Sequence, residues 1–403
     1  MDYSCIGIDF DDDSALVSYV YKDEEEPVTV STVVGAEEYR IPVCVVKKKG
    51  MGQWLYGKEA KEYAEANNIK LETDLLERAS NQENVTIEGV EYSLQDLFFF
   101  FMKKIITLPT KPGTVVNFEN IAITVDRVTQ KNMQLFWICI EKLRFPLENL
   151  MVMDHRESFC HYALHQEEEL SRHNVVMFEF VENRLTIRML ERSRKQVPNV
   201  VSVMEESVYY DGMDKDSFLN NLARDYFAGR IVSAVYLTGD GFDGDWMKQS
   251  LKYLCTGRRV FLGKNLYSKG CCYGPDKNND YIYLSDNEME SNVSLKVSEH
   301  GIYRFVPIAE AGRNWYDQSY EYEIFIKGEP EIDFWVQENN GNKPKIITYV
   351  LKDWPKKSCD ITRVRISSKP MSTKEIKIGV KDLGFGEISP ATNTSSEYLL
   401  KLE

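Results

Sequence analysis

Cys5-Ile6-Gly7-Ile8-Asp9-Phe10 runs into the acidic stretch Asp11-Asp12-Asp13-Ser14 and then into Ala15-Leu16-Val17-Ser18-Tyr19-Val20. Two β-rich runs around a short polar turn read as a hairpin. Outward from it, Val28 to Val33 and Ile41 to Val46 extend the sheet. Gly57 to Ala66, rich in strong helix formers, and Ser93 to Thr107, with Ser93 at the cap and Asp96 in the first turn, read as helices. Asn120 to Val125 is a short apolar run of the kind buried on both sheet faces. A helix (Thr129 to Leu143), a strand (Leu150 to Met153) and a helix (Glu157 to Leu170) follow, an alternation that predicts an α/β fold with a partly parallel sheet. Val175 to Phe180 and Arg184 to Leu190 then repeat the opening hairpin. After them come a helix (Asp216 to Phe227), a strand (Ala234 to Thr238) and a helix from Asp245 to Cys255, capped by Asp245.

From about Pro275 the pattern changes. Tyr322 to Ile326, Ile346 to Val350 and Ile376 to Val380 alternate between turn residues, and no helical period appears. This predicts an all-β sandwich, with Pro275-Asp276-Lys277-Asn278-Asn279 as the linker. Lys381-Asp382-Leu383-Gly384-Phe385-Gly386-Glu387-Ile388 reads as a glycine-permitted bend at a strand end. Of the clustered aromatics Trp315, Tyr316, Tyr320, Tyr322, Phe325, Phe334 and Trp335, most are expected in the core, and exposed ones would mark a binding surface.

The 403 residues carry a net charge of −14, which argues against a general nucleic-acid binder. No secretory signal pattern opens the sequence, and its most apolar stretch, Leu97 to Phe101, is too short to span a bilayer. No membrane association is expected. Eight scattered cysteines, including the vicinal Cys271-Cys272, read as reduced thiols of a cytoplasmic protein.

Taken in order, these segments resemble the actin-like ATPase superfamily and, within it, the DnaK-type heat-shock chaperones. The likeness covers residues 4 to 274. Ile6-Gly7-Ile8-Asp9-Phe10 resembles the family's first phosphate hairpin, I-G-I-D-L-G-T-T. Ile41-Pro42-Val43-Cys44-Val45-Val46 with Leu55-Tyr56-Gly57-Lys58-Glu59-Ala60 is similar to I-P-S-x-V and the later G-x-x-A. Ile121 to Val125 resembles A-V-I-T-V, and Glu157-Ser158 to Ala163 resembles the E-P-T-A-A-A helix start. Val175 to Leu190 is similar to the second phosphate hairpin, Leu237-Thr238-Gly239-Asp240-Gly241 to the adenosine-loop L-V-G-G-S, and Gly270-Cys271-Cys272 to the closing Y-G-A-A helix.

The resemblance implies a duplicated ribonuclease-H-like (actin/DnaK-like) fold followed by the sandwich, which in chaperones binds extended peptides. A first lobe would occupy residues 1–112, with an inserted subdomain at 21–107. The rest of that lobe and the second lobe would occupy 113–274, and the sandwich 275–403. Only about forty residues separate Leu190 from Ala234, room for one strand and one helix, so the second-lobe insertion is truncated. By resemblance, Asp9 organises magnesium and Glu157 positions the attacking water. The vestigial nucleotide site would comprise Asp11, Asp12, Asp13, Ser14, Glu179, Gly239, Asp240, Gly241 and Gly270. The plainer alternative is that Asp9 closes a hairpin and Glu157 starts a helix.

Two departures bear on the chemistry. The first turn holds three aspartates where the family has G-T-T, and these repel phosphate. The second, Glu179-Phe180-Val181-Glu182-Asn183-Arg184, has lost every glycine that lets backbone N–H groups approach phosphate, with Val181 and Glu182 expected in its path. The expectation is a pseudo-ATPase acting on a protein or peptide partner, with no cofactor; the alternative is an active ATPase binding ATP and magnesium through Asp9 and Glu157. No metal site is expected. His161 and His165 are spaced i, i+4 without the H-E-x-x-H pattern, and Gly239 to Asp245 lacks the spacing of a calcium loop. Arg188, Arg192, Arg194 and Lys195 read as a solvated strand edge.

Overall fold

The computed structural model describes residues 4–11, 13–33, 35–109, 118–193, 199–212, 214–276, 281–338, 343–351, 354, 361–386, 390–392 and 394–402. The chain forms two compact units, Met1–Leu284 and Ser285–Glu403. The first is mixed α/β and the second is β-rich. The boundary falls beyond the expected 275 because Tyr281–Tyr283 joins a sheet of the first unit.

The first unit begins with β1 (Cys5–Phe10), β2 (Ser14–Val20), β3 (Val28–Thr29) and β4 (Ile41–Pro42). Two small hairpins follow, β5 (Val45–Lys47) with β6 (Trp54–Tyr56) and β7 (Asn84–Ile87) with β8 (Val90–Ser93). Around them lie α1 (Gly57–Asn67), α2 (Leu75–Ser80) and α3 (Leu94–Ile106). Ser93 precedes α3 without a side-chain cap bond. The run Ile41 to Val46 splits, since β4 pairs with β2 while β5 pairs with β6.

Next come β9 (Asn120–Val125), α4 (Gln130–Lys142), β10 (Leu150–Asp154) and α5 (His155–Leu164). Thr129 and Asn132 close a reciprocal capping box on α4, the arrangement that satisfies two orphan N–H groups at once. α5 ends at Leu164, short of the expected Leu170, with a separate 3-10 turn at Glu168–Ser171.

The second half repeats the plan with β11 (Asn174–Val181), β12 (Arg184–Ser193), β13 (Asn199–Tyr209), α6 (Lys215–Phe227), β14 (Val232–Thr238), α7 (Gln249–Leu254), β15 (Arg259–Leu262), α8 (Leu266–Tyr273) and β16 (Tyr281–Tyr283). One strand and one helix therefore lie between β12 and β14. α7 starts later than expected, and Asp245 does not cap it. Its first N–H groups, of Gln249 and Ser250, donate to Asp216 of α6 instead, at 2.7 and 2.9 Å.

The two sheets have the same strand order, β10-β9-β1-β2-β3 and β15-β14-β11-β12-β13. In each, the first three strands are an antiparallel meander and the last two add in parallel beside the first. The registers coincide as well, for Asp9 of β1 sits beside Thr124 of β9 and Glu179 of β11 beside Thr238 of β14.

The closing helices are exchanged between the halves. α5 packs Phe159, Cys160 and Ala163 onto Val175, Met177 and Leu190 of the second sheet. α8 packs Cys271 and Cys272 onto Cys5 and Ala122 of the first. Where they cross, a Cβ on Gly270 would lie 2.1 Å from the Ser158 carbonyl oxygen, and one on Gly7 would lie 2.2 Å from that of Ser268. Glycine is therefore required at both points.

The second unit comprises β17 (Ser291–Glu299), β18 (Ile302–Ala309), β19 (Tyr320–Lys327), β20 (Glu331–Glu338), β21 (Lys345–Val350), β22 (Ile361–Ser372), β23 (Glu375–Asp382) and β24 (Ser395–Lys401). They form two antiparallel sheets, β18-β17-β20-β21 and β19-β22-β23-β24, which meet through Phe334 against Tyr398 and Ser368 against the Ile308 carbonyl. Trp315, Tyr316 and Phe334 are buried, whereas Phe325 is exposed. Gly384 and Gly386 take positive φ in the expected bend, and the Gly384 N–H donates to Asp382. Lys277, Asn278, Asn279, Glu387 and Ile388 lie outside the described residues.

Among the described residues, no helix is long and apolar enough to cross a membrane. The described cysteines are free thiols, buried except Cys255.

A candidate functional site built around Arg188

The repeated first strands bring Asp9 and Glu179 to the helix crossing, and the group between the two halves is a cation supplied by the chain. Arg188, on β12, is 1% exposed. Its Nε donates to Glu205 Oε2 at 2.7 Å and its Nη1 to Glu179 Oε2 at 2.6 Å and to the Tyr267 hydroxyl. Nη2 lies 3.5 Å from Asp126 Oδ1. Desolvating a guanidinium costs several kcal/mol, and charge-assisted bonds to several carboxylates offset that cost. The sheet explains the geometry, because Arg188 is in register with Met177 on one side and Glu205 on the other. Arg188 is thus the hub of the site, not part of a solvated edge; Arg194 and Lys195 lie outside the described residues.

Asp9 meets His155, the first residue of α5, whose Nε2 donates to Asp9 Oδ1 at 2.9 Å. Burial alone would lower the His155 pKa, but the charge and hydrogen bond of Asp9 outweigh it, and the value rises to about 9. The ring is therefore cationic at neutral pH. It stacks on Tyr267 of α8, and its Nδ1 lies 3.9 Å from Asp126. For Glu179, burial pushes the carboxyl up, yet Arg188 and then His155 bring it below its ordinary value. Asp11, partly buried at the end of the first strand, is pushed up to about 7 by burial and then by Asp9.

Glu157, the other residue singled out by resemblance, has different neighbours. Asp154 caps α5 by accepting from the Glu157 N–H. The Glu157 side chain lies 3.8 Å from His161, one helical turn on, which leaves His155 as the residue that reaches Asp9. His161 also contacts the Tyr281 hydroxyl, whereas His165 stacks on Tyr273 beside Asp276. These two histidines thus face different partners, and no group of three or more metal-ligating side chains forms among the described residues.

The other expected residues are dispersed. Asp12 lies outside the described residues, Asp13 is exposed, and Ser14 is buried with its hydroxyl unbonded. Asp240 is exposed and paired with Arg40 at 2.7 Å. Val181 and Glu182 stand exposed at the hairpin tip. Their neighbour Phe180 packs tightly on the loop after β14: a Cβ on Gly239 would meet its carbonyl oxygen at 2.4 Å, and one on Gly241 would meet its ring at 2.4 Å. Gly270 serves the helix crossing.

His155, Arg188, Asp126, Glu205 and Tyr267 were not singled out as a site in the sequence. One signal was present, the repeat of Ile123-Thr124-Val125-Asp126 as Leu237-Thr238-Gly239-Asp240, which marks Asp126 as a duplicated position.

Fold and site together define a mixed α/β protein with a duplicated sheet plan, a buried ion-pair centre and a β-rich C-terminal unit. Residues 26–286 match the C-terminal part of a family of unknown function (DUF5716), and 288–402 match a domain of unknown function (DUF8552). The first match spans more than half the chain, which therefore belongs to the DUF5716 family. No curated protein is significantly similar to it.

Proposed function

We propose that the first unit is a duplicated ribonuclease-H-like body of the actin and DnaK type whose nucleotide chemistry has been replaced by a permanent internal ion pair. On this proposal the protein is a pseudo-ATPase that acts as a protein-interaction or chaperone-like factor. The repeated strand order, the exchanged helices and the short β12-to-β14 connection support the fold assignment. The observation that carries the functional one is Arg188, which bonds Glu179 and faces Asp126 where such a fold would place magnesium and polyphosphate.

Magnesium-nucleotide does not fit these residues. Two cations, Arg188 and His155, already face four carboxylates, Asp9, Asp126, Glu179 and Glu205, so further negative charge is repelled. Phe180 lies against Gly239 and Gly241, on the loop that would receive adenosine. The alternative, an active ATPase using Asp9 and Glu157, would require Asp9 to release His155. A phosphate-release assay with ATP and magnesium is expected to give no turnover above buffer. Turnover that disappears in Asp9→Asn would overturn the proposal.

A further inference from the structure

The outer face of the sheet β18-β17-β20-β21 carries an apolar stripe. Tyr303 is 70% exposed, Phe305 56%, Ile346 47% and Val350 52%, with half-buried Trp335 packed edge-on to Phe305. Strand register puts these side chains on one surface. Tyr303 lies opposite Ser298 and Phe305 opposite Lys296. Ser294, Trp335 and Ile346 form one row, while Thr348 lies opposite Asp333 and Val350 opposite Glu331. The inward residues of the same strands, Leu295, Phe334 and Val336, are buried, so these exposed apolar side chains lie outside the core, on a face they share with Lys296, Asp333 and Glu331. Exposed faces of this size mark interaction sites.

We infer that this face pairs with the same face of a second copy of the chain. The inference is independent of the proposed function, since it concerns the other unit. Its argument is self-complementarity, which a two-fold interface demands. A two-fold axis parallel to the strands, passing between β17 and β20, lays β18 over β21 of the second copy and β17 over its β20. Tyr303 then covers Val350, Phe305 covers Thr348 and Ile346 meets Pro307 of the second copy.

The same operation brings Lys296 over Asp333. Among the described residues Lys296 makes no ion pair; its ammonium lies 4.5 Å from the Tyr303 ring and 5.4 Å from that of Trp335. Asp333 accepts the Thr348 hydroxyl and, among the described residues, has no cationic partner. Each copy therefore offers an unspent cation and an unspent anion on neighbouring strands. Five such side chains at these exposures, with their rims, remove about 1,100 Å² over both copies, the area of a weak, transient interface.

Sedimentation equilibrium of the full chain from about 1 to 200 μM tests this, a range that brackets the affinity of a small interface. The expected result is a reversible monomer–dimer equilibrium with a dissociation constant in the micromolar range. Phe305→Asp and, separately, Ile346→Lys are expected to weaken it at least about 30-fold with melting temperature unchanged. Lys296→Asp and Asp333→Lys should each weaken the dimer, and the double variant should restore it. A monomer at every concentration, a dimer indifferent to both apolar variants, or capture of this face by a different protein while the chain stays monomeric would overturn the inference.

Discussion

The imidazole of His155 lies flat on the ring of Tyr267, with centroids 4.0 Å apart and planes 5° from parallel. His155 reaches Asp9 of the first sheet, and the Tyr267 hydroxyl meets Arg188 of the second. The stack thus links two buried ion pairs, one from each half of the duplicated body. Its two residues open α5 and α8, the helices that cross between the halves. What holds the halves together is therefore also what fills the space between them.

Removing the hub should be costly. Arg188→Met leaves Glu179 and Glu205 without their cation and should destabilise the first unit by about 3–5 kcal/mol, the usual loss when one partner of a buried pair is deleted. Arg188→Lys should recover less than half of it, because one ammonium cannot serve Glu205, Glu179 and Tyr267 through a planar fork. Urea unfolding of the three proteins checks both numbers.

The His155 pair predicts a pH dependence of definite sign. The folded value of about 9 lies above the ordinary 6.5. Its contribution is thus fully present below about pH 6.5 and is lost as pH rises through 9, about 3 kcal/mol. Melting temperature should fall across that window in the parent protein, and the fall should flatten in His155→Gln. A parallel fall in the variant would assign it to other groups.

Asp11 is strained in the opposite chemical sense, with the same direction in pH. Its carboxyl titrates near 7 in the folded chain against an ordinary 3.8, so ionisation costs stability progressively between these values. Asp11→Asn should therefore stabilise the protein at pH 8, by about 1–2 kcal/mol after allowance for partial exposure. At pH 3.5 the two proteins should unfold alike in urea.

Much of this architecture was legible in the residues. The two β-rich runs of Cys5 to Val20, the apolar run 120–125 and the helix beginning at Thr129 state their structures locally, and the spacing between Leu190 and Ala234 left room for only the strand and helix found there. The centre was not legible, for a physical reason. Arg188 sits in the apolar run Leu185-Thr186-Ile187-Arg188-Met189-Leu190, and its partners come from β11, β13, the end of β9 and α8. Only sheet register and helix exchange bring them together. Asp9 bonds His155 because Asp154 caps α5, so the helix starts with His155 facing the first sheet. The domain boundary shifted for a similar reason, since a three-residue parallel pairing of β16 has too little period to be read alone.

The helix crossing supplies a steric test. A methyl group at Gly270 would meet Ser158 at 2.1 Å, so Gly270→Ala must separate α5 from α8. The expected cost is about 1–3 kcal/mol, as for other overpacked contacts. Because the same helices carry His155 and Tyr267, the variant should also lose part of the pH dependence described above. A variant as stable as the parent would mean that the helices do not approach this closely.

On the proposed function, the chain's own arginine occupies the place that actin- and DnaK-type proteins give to magnesium-nucleotide. Calorimetric titration of the full chain with ATP and with ADP, each with magnesium, tests it most directly. No saturable heat is expected up to millimolar nucleotide. A stoichiometric isotherm with a micromolar dissociation constant would contradict it.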